Sequence, residues 1–388
     1  MIKRILEQYN HKFGTPKIYI KSPGRANIIG EHTDYNKGLV LPFAIEQCIH
    51  FYMGTNQSRT LRLFAYDLKE YKEYKIDQLQ FKNDGWERYF INALVVLNLD
   101  INEGVDVVFG GNLPHGGGIS SSSALACGFL SGLNSLFDLS YTVDELVGFA
   151  SETENGIGLN GGIMDQTAIL KGKKDKALKI DFLDLTLEEV DMPSKAYTFY
   201  LFHSGQTHNL VETGYNDRRS SCEKALSIIQ KVNPKINSLR DLSSKDLTAY
   251  ALDDVLYRRC KHVIEESNRV LDAVQVLRSG QYRALGNLLL KSHESLSNYY
   301  EVSTPEIDSL VAISQTIPGI LGSRIMGGGF GGCTINFVEG KLEAKDIDTI
   351  TTDYFSKTGL NMTVLEVEAS SGVEVNVLDE KQSENSRT

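Results

Sequence analysis

The chain has 388 residues, 41% of them hydrophobic and 23% charged, enough for two soluble globular domains of ordinary size. Its net charge of −10 argues against general binding to nucleic acid or to an anionic membrane, while leaving room for a local basic pocket. No 18-residue apolar run or signal-peptide core occurs, and the five scattered cysteines (Cys48, Cys127, Cys222, Cys260 and Cys333) form no CxxC; a reducing, cytoplasmic setting without a disulfide framework or zinc site is expected.

Met1–Asn10 is amphipathic. Two apolar runs, Ile18–Ile20 and Leu39–Ile45, then frame Ser22-Pro-Gly-Arg-Ala-Asn-Ile-Ile-Gly-Glu-His-Thr-Asp-Tyr35. Arg25, Glu31, His32 and Asp34 fall within ten residues, among glycines and apolar side chains. That pattern predicts a loop held by strands and presenting charge to a small polar ligand; the plainer reading is a polar turn with a surface ion pair. A carboxylate accepts hydrogen bonds from two adjacent hydroxyls, so sugars and polyols are natural candidates. Leu61–Tyr66 and Gly104–Phe109 read as strands, and Trp86–Leu99 has helical spacing.

Gly110–Ala126 is a glycine- and serine-rich loop that opens a helix running to about Phe137. Glycines allow close backbone approach to an anion, and the serines and helix start add hydroxyls and free N–H groups, a phosphate cradle. A glycine turn with a serine cap is the alternative, although four serines in a row exceed what capping needs. No GxxxxGK[ST] occurs, so this is not a Walker loop. A second helix, about Thr142–Glu154, starts from a threonine cap with Asp144 and Glu145 in its first turn. Gly161-Gly-Ile-Met-Asp-Gln166 sets the single acid Asp165 among apolar neighbours, where it suits a general base, a substrate ligand or a helix cap. Arg25 is its candidate partner.

Ala177–Phe182 and Tyr197–Phe202 read as strands, a composition shift near 183–196 marks a boundary, and Tyr215 to about Tyr300 is mostly helical. Gly327–Val338 is a further glycine loop, feeding a strand, and Val364–Val367 is a late strand; Lys381–Thr388 is polar and expected to fray. Gly156–Gly161 and Gly327–Gly332 both match GxGxxG, but one follows a helix and the other precedes a strand, so neither fits a dinucleotide site. The eight histidines form no HExxH, and Glu152 and Glu154 near the serine loop suit Mg²⁺ better than zinc. No GxSxG occurs, against a serine hydrolase.

Three of these segments, in this order, resemble the galactokinases of the GHMP small-molecule kinase family. Ser22–Tyr35 looks like the sugar signature, Pro114–Ala124 like the ATP loop, and Ser323-Arg-Ile-Met-Gly-Gly-Gly-Phe-Gly-Gly-Cys-Thr334 like the third, glycine-rich motif. The likeness continues through Gly162–Gln166, Gly214–Arg219 and Tyr300–Asp308, and so covers nearly the whole chain. The resemblance implies an α/β (α+β) two-domain GHMP kinase fold, with an N-terminal α/β domain at 1–190, a C-terminal ferredoxin-like domain at 191–388 whose last strand has room to return to the first domain, and the site in the cleft between them.

It also implies roles. Asp165 would take the proton from the anomeric hydroxyl of galactose, with Arg25 beside it as transition-state stabiliser. Glu31, His32, Thr33, Asp34, Gly162 and Tyr215 would bind the sugar. Gly116, Gly117, Gly118, Ile119, Ser120, Ser121 and Ser122 would wrap the ATP phosphates. Ser122 and Glu154 would ligate Mg²⁺, with Glu152 as the alternative acid. The expected protein is a cytoplasmic monomer acting on a small sugar and ATP, without nucleic-acid or membrane partners. The chain departs from the family pattern at Glu154-Asn-Gly-Ile-Gly158, one residue short, at Gly161 and His203, and by conservative changes at Ala26 and Ile28. A kinase for a related sugar, such as N-acetylgalactosamine or arabinose, is the nearest alternative, and a non-catalytic sugar sensor on the same fold is the rival of another class.

Overall fold

The computed structural model describes residues 1–99, 101–114, 118–157, 162–206 and 211–378, with the backbone alone at 211–213. After helix α1 (Ile2–Phe13), the strands β1 (Ile18–Asn27), β2 (Leu39–Val40), β3 (Pro42–Asn56), β4 (Thr60–Ala65) and β5 (Glu70–Lys75) follow in close succession. Helix α2 (Arg88–Leu97) and strand β6 (Gly104–Gly111) lead into α3 (Ser121–Leu136), α4 (Val143–Asn155) and α5 (Met164–Lys171). A hairpin of β7 (Lys176–Asp181) and β8 (Thr186–Asp191) comes next, then β9 (Tyr197–His203). The remainder is α6 (Val211–Val232), α7 (Asp254–Ser279), α8 (Tyr282–Asn298), α9 (Pro305–Ser314), β10 (Ile320–Met326), β11 (Cys333–Glu339), α10 (Ala344–Thr358), β12 (Thr363–Val367) and β13 (Glu374–Val377).

Among the described residues the strands form three sheets. The largest runs β13-β1-β3-β6-β4-β5, antiparallel except where β4 lies parallel to β6. Its inner face is strongly apolar, as at Ile20, Phe51, Met53 and Val107, and helices α2, α3 and α5 cover it, with α4 packed behind them; Phe90 packs on Phe129 and Phe109 with ring centroids 4.9 Å apart. A small sheet, β2-β7-β8, lies beside it. The third runs β10-β11-β9-β12, all antiparallel. In chain order its strands and helices give βαββαβ with the first and third strands central, which is ferredoxin-like topology. The chain then leaves this sheet, and β13 pairs with β1 from Ile18↔Val377 to Lys21↔Glu374.

One irregularity positions the site. The β1–β3 register slips between Pro23 and Arg25, and such a bulge re-aims the next side chain. Gly24 sits in the slip because a Cβ there would stand 2.5 Å from Leu113 Cδ1 and 2.9 Å from the Ile119 carbonyl. The serine loop therefore lies directly on the bulge.

The structure corrects the sequence reading here. Ser22–Asn27 is strand, not loop, and only the stretch after Asn27 leaves the sheet. Nor is this charge superficial: Ser22, Arg25, Glu31, His32 and Thr33 are all buried. Strands β5, β8, β10 and β13 were not anticipated; the alternation of β5, β8 and β13 is weak or mostly exposed and edge pairing sustains them, whereas β10 is buried and runs straight into the glycine loop that follows it. Among the described residues no helix is long and apolar enough to cross a membrane.

Candidate active site

Arg25 and Asp165 stand at the centre. Arg25 leaves the bulge of β1 and donates from Nε to Asp165 Oδ1 at 2.7 Å and from Nη2 to Oδ2 at 2.9 Å, a bidentate pair. Its Nη1 donates to the Gly118 carbonyl at 2.5 Å, and its backbone N–H to the Ile119 carbonyl at 3.2 Å. One residue thus holds both the acid and the serine loop. Burial works against the guanidinium's charge, but Asp165, then Glu31 and Asp34, outweigh it and raise its pKa above the usual value. Asp165 lies in the first turn of α5 without capping it: the cap position is Ile163, and no side chain bonds there.

The serines serve acids rather than capping. Ser120, in the left-handed region at φ +57°, makes no cap bond, and its hydroxyl donates to Asp165 Oδ2. Ser123 donates to Glu154 Oε2 at 2.8 Å, and Gln166 Nε2 donates to the same oxygen. Ser122, close by, also favours the charge of Glu154. Glu154 is buried; desolvation raises its pKa, the hydroxyl and amide bonds only partly offset this, and no cationic side chain among the described residues pairs with it. Glu152, the alternative acid, is exposed on α4. Gly116 and Gly117 lie outside the described residues, as do Gly161 and Lys381–Thr388.

Next to the Arg25–Asp165 pair is a cavity of about 180 Å³ lined by Glu31, His32, Asp34, Gly162 and Tyr215, and also by Ser122 and Glu154. Asp34 opens a short 3₁₀ turn, Asp34–Asn36. Burial pushes its carboxyl up to about 7, against the backbone N–H of Tyr35 and with help from the charges of Asp165 and Glu31. Gly162 lets the chain pass close: a Cβ on it would lie 2.0 Å from Asp34 Oδ2. Burial raises the Tyr215 pKa well above the usual value, with the charges of Asp34 and Asp165 adding to it and the nearby Gly162 backbone acting against it. His32, driven by burial down to about 3, is a neutral imidazole.

Two sequence-derived roles change. Thr33 does not line the cavity; its hydroxyl is spent on the Gly30 and Leu39 carbonyls, at 2.9 and 2.6 Å, so it shapes the loop that carries its neighbours. Glu31 lines the cavity, but its Oε1 already accepts from Arg324 Nη1 at 3.1 Å and Gly327 N–H at 2.9 Å, leaving Oε2 for a ligand.

Arg324, Glu266 and His262 were missed. Arg324 is fully buried and also donates to the Ile28, Asn27 and Ile325 carbonyls. Glu266 on α7 accepts the Gly30 N–H at 2.9 Å, and His262, one turn earlier, meets the Glu31 carbonyl at 3.1 Å. Desolvation opposes Glu266's charge, but Arg269, His262 and Arg324 hold its carboxyl down at about 2. The one signal available was a charged residue inside the apolar strand pattern Ser323-Arg-Ile-Met. Nothing in α7 alone announces a contact with Gly30.

A second cavity, of about 510 Å³, opens from the serine loop, lined by Trp86, Tyr66, Tyr89 and Phe109 with Ser121 and Ser122 at its inner end. A flat aromatic ligand fits such walls. Both cavities reach Ser122 in the first turn of α3, where the free N–H groups of a helix start suit an anion.

Three family models match the chain: the galactokinase galactose-binding signature at residues 7–55, the GHMP kinases N terminal domain at 88–173 and the GHMP kinases C terminal model at 273–348. A galactokinase of Roseiflexus sp. is 35% identical over 374 residues, 95% of each chain. A galactokinase of Thermotoga maritima is 36% identical over 362 residues, covering 92% of this chain and 99% of the other. The crystal structure of Lactococcus lactis galactokinase complexed with galactose superposes with a TM-score of 0.90 at 32% identity, over 96% of this chain and 98% of that one. Methanococcus jannaschii mevalonate kinase shares the fold, with a TM-score of 0.64 at 17% identity over 92% of this chain and all of the other.

Proposed function

This chain belongs to the galactokinase family of the GHMP kinases, and on that premise we propose how its residues perform the ATP-dependent phosphorylation of galactose at the anomeric hydroxyl. The observation that carries the reading is the bidentate Arg25–Asp165 pair, set between the polar cavity and the serine loop. A binding module has no use for a buried arginine clamped to an acid at a phosphate cradle, which disfavours the sensor alternative.

Galactose occupies the smaller cavity, with Glu31 Oε2 and Asp34 accepting from its hydroxyls and His32, Tyr215 and the Gly162 backbone completing the wall. The base of ATP lies against Trp86 and Tyr66, and the phosphates run along Gly118–Ser122 at the start of α3. A carboxylate offers about four lone-pair sites. Two of Asp165's are taken by Arg25 and one by Ser120, which leaves Oδ1 able to accept the anomeric hydroxyl hydrogen. Asp165 takes that proton as the anomeric oxygen bonds to the γ-phosphorus and the bond from that phosphorus to the β,γ-bridging oxygen breaks, with ADP as the leaving group. Arg25 has five N–H donors, three of them used, so two remain for the oxygens of the phosphoryl group in transit. Phosphoryl transfer through a loose transition state asks chiefly for such positioning and charge.

Glu154 and Ser122 fit a magnesium ion: both offer hard oxygen, and Glu154 is a buried carboxylate without a cationic partner among the described residues. No cluster of three or more acidic, histidine or cysteine ligands occurs among the described residues, so nucleotide phosphates and water would supply the other ligands. When bound, the ion would neutralise charge on the β- and γ-phosphates. The five cysteines, all buried and free, support a reducing, cytoplasmic setting.

Coupled ADP release over a panel of galactose, glucose, N-acetylgalactosamine and arabinose tests the reading. Galactose should turn over fastest; preference for another sugar moves the assignment to that sugar, and no ADP with any of them overturns it.

A further inference from the structure

The glycine-rich segment Ser323–Thr334 adds no residue to the aromatic cavity and meets the sugar cavity through Gly327 and Gly328. Its one charged residue, Arg324, lies on β10 in the ferredoxin-like sheet, yet its side chain reaches across to the end of β1. Arg324 is fully buried, and four of its five N–H groups are used. Nε donates to the Ile28 carbonyl at 2.8 Å, Nη2 to the Asn27 carbonyl, and Nη1 to both the Ile325 carbonyl at 2.5 Å and Glu31 Oε1 at 3.1 Å.

We propose that Arg324 is a positioning residue for the sugar site: together with the Gly327 N–H it holds Oε1 of Glu31, and so fixes a carboxylate whose other oxygen, Oε2, reads one hydroxyl of the sugar. The proposal rests on galactose occupying this cavity and adds what aims one of its contacts.

A glutamate side chain is long and flexible, and one left free would have to be ordered by the sugar itself, at a cost in affinity. Here the backbone is fixed first. Residues 27–31 are held by side chains from the C-terminal half: Arg324 takes the Asn27 and Ile28 carbonyls, Glu266 accepts the Gly30 N–H at 2.9 Å, and His262 Nε2 lies 3.1 Å from the Glu31 carbonyl. What remains free is the Glu31 side chain. Two donors converge on its Oε1, Arg324 Nη1 and the Gly327 N–H at 2.9 Å. Gly327 turns at φ +86° just where β10 ends, a conformation open to glycine. Arg324 is the one cationic side chain ion-paired with Glu31 among the described residues.

Oε2 is left over. Glu31 as a whole is 2% exposed, yet Oε2 has no hydrogen bond among the described residues and is not one of the enclosed atoms left without a partner, so it opens on the cavity that Glu31 lines. A carboxylate oxygen only accepts, so at one ring position it selects a hydroxyl over hydrogen or fluorine. Lysine could not replace the arginine. It offers three donors from a single point, whereas the planar fork of Arg324 spans Glu31 and three carbonyls at once.

The test is calorimetric binding of galactose and its 2-, 3-, 4- and 6-deoxy and deoxyfluoro analogues to the whole protein. Glu31→Ala identifies the hydroxyl that Glu31 reads, as the one whose removal no longer weakens binding; if every hydroxyl still counts in that variant, the proposal is overturned. Arg324→Lys should weaken galactose about tenfold, with KM for ATP within about twofold, and its loss should fall below about twofold for the sugar lacking that same hydroxyl. Equal losses for every analogue would mark a merely structural role and overturn the proposal, as would unchanged galactose affinity in folded Arg324→Lys. Glu31→Gln decides the matter even if Arg324→Lys does not fold. Both groups on Oε1 are donors, so the amide oxygen must face them and the NH₂ must face the sugar. Fluorine, which accepts but cannot donate, should then cost about fivefold less affinity at that position than it costs the unmodified enzyme; an equal or larger cost overturns the proposal. Each of these failures, with galactose still bound by the unmodified enzyme, leaves the galactose assignment standing, whereas absence of galactose binding removes both.

Discussion

Gly162→Ala isolates the sugar site by a single methyl group. The added Cβ would lie 2.0 Å from Asp34 Oδ2, 2.5 Å from Cγ and 3.0 Å from Cβ, so the whole carboxylate must retreat. An ordinary C···O contact is about 3.4 Å, which sets the displacement above 1 Å. Gly162 is not among the residues at positive φ, so the alanine backbone itself is unstrained. Loss of one hydrogen bond to a charged acceptor costs about 1.5–3 kcal/mol, or roughly 10- to 150-fold in affinity. Galactose binding by calorimetry should weaken by that factor, while ATP binding holds within about twofold. The loss should also vanish in an Asp34→Ala background, because both changes act through the same carboxylate. Galactose affinity within about threefold of the parent, or additive losses in the double variant, would refute the packing argument.

Asp34, raised to about 7 in the empty site, gives a pH dependence. Sugar hydroxyls favour its ionised form, so binding releases a proton at acidic pH, and galactose Kd should be about tenfold weaker near pH 6 than near pH 8; a flat profile over that range contradicts the role. Asp165→Asn should lower turnover by roughly 10²–10⁴ with ATP affinity nearly intact, since the amide cannot take the proton, and a loss under about tenfold in steady-state rate contradicts the base. Ser122→Ala and Glu154→Gln should each raise the magnesium concentration needed for half-maximal rate, whereas Glu152→Gln should leave it alone; titration of the rate with magnesium separates the three.

The parts of the site that were legible in the sequence are those whose chemistry is local. Glycine and serine at a helix start announce an anion site, and Arg25, Glu31, His32 and Asp34 within ten residues announce a polar ligand. What stayed hidden depends on chain distance. Arg324 meets Glu31 across 293 positions and Glu266 meets Gly30 across 236, and neither contact leaves a periodic trace. Thr33 looked like a ligand because it sits between two of them, yet the turn it stabilises points its hydroxyl at the backbone. Arg25 looked like a loop residue because charge clusters there among glycines between two apolar runs; in the sheet Pro23 and Gly24 make a bulge in β1 instead. Strand β13 escaped because its pattern, largely exposed, acquires meaning only beside β1.

The central claim is that Asp165 and Arg25 deliver the terminal phosphoryl group of ATP to the anomeric oxygen of galactose. The most direct measurement follows galactose labelled with carbon-13 at C1, incubated with the enzyme, ATP and magnesium, by carbon and phosphorus NMR. The account expects a single phosphorylated sugar whose C1 signal is split by coupling to phosphorus, formed in step with ADP and nearly absent with Asp165→Asn. Phosphorus on any other carbon, or ATP left unconsumed beside bound galactose, would contradict it.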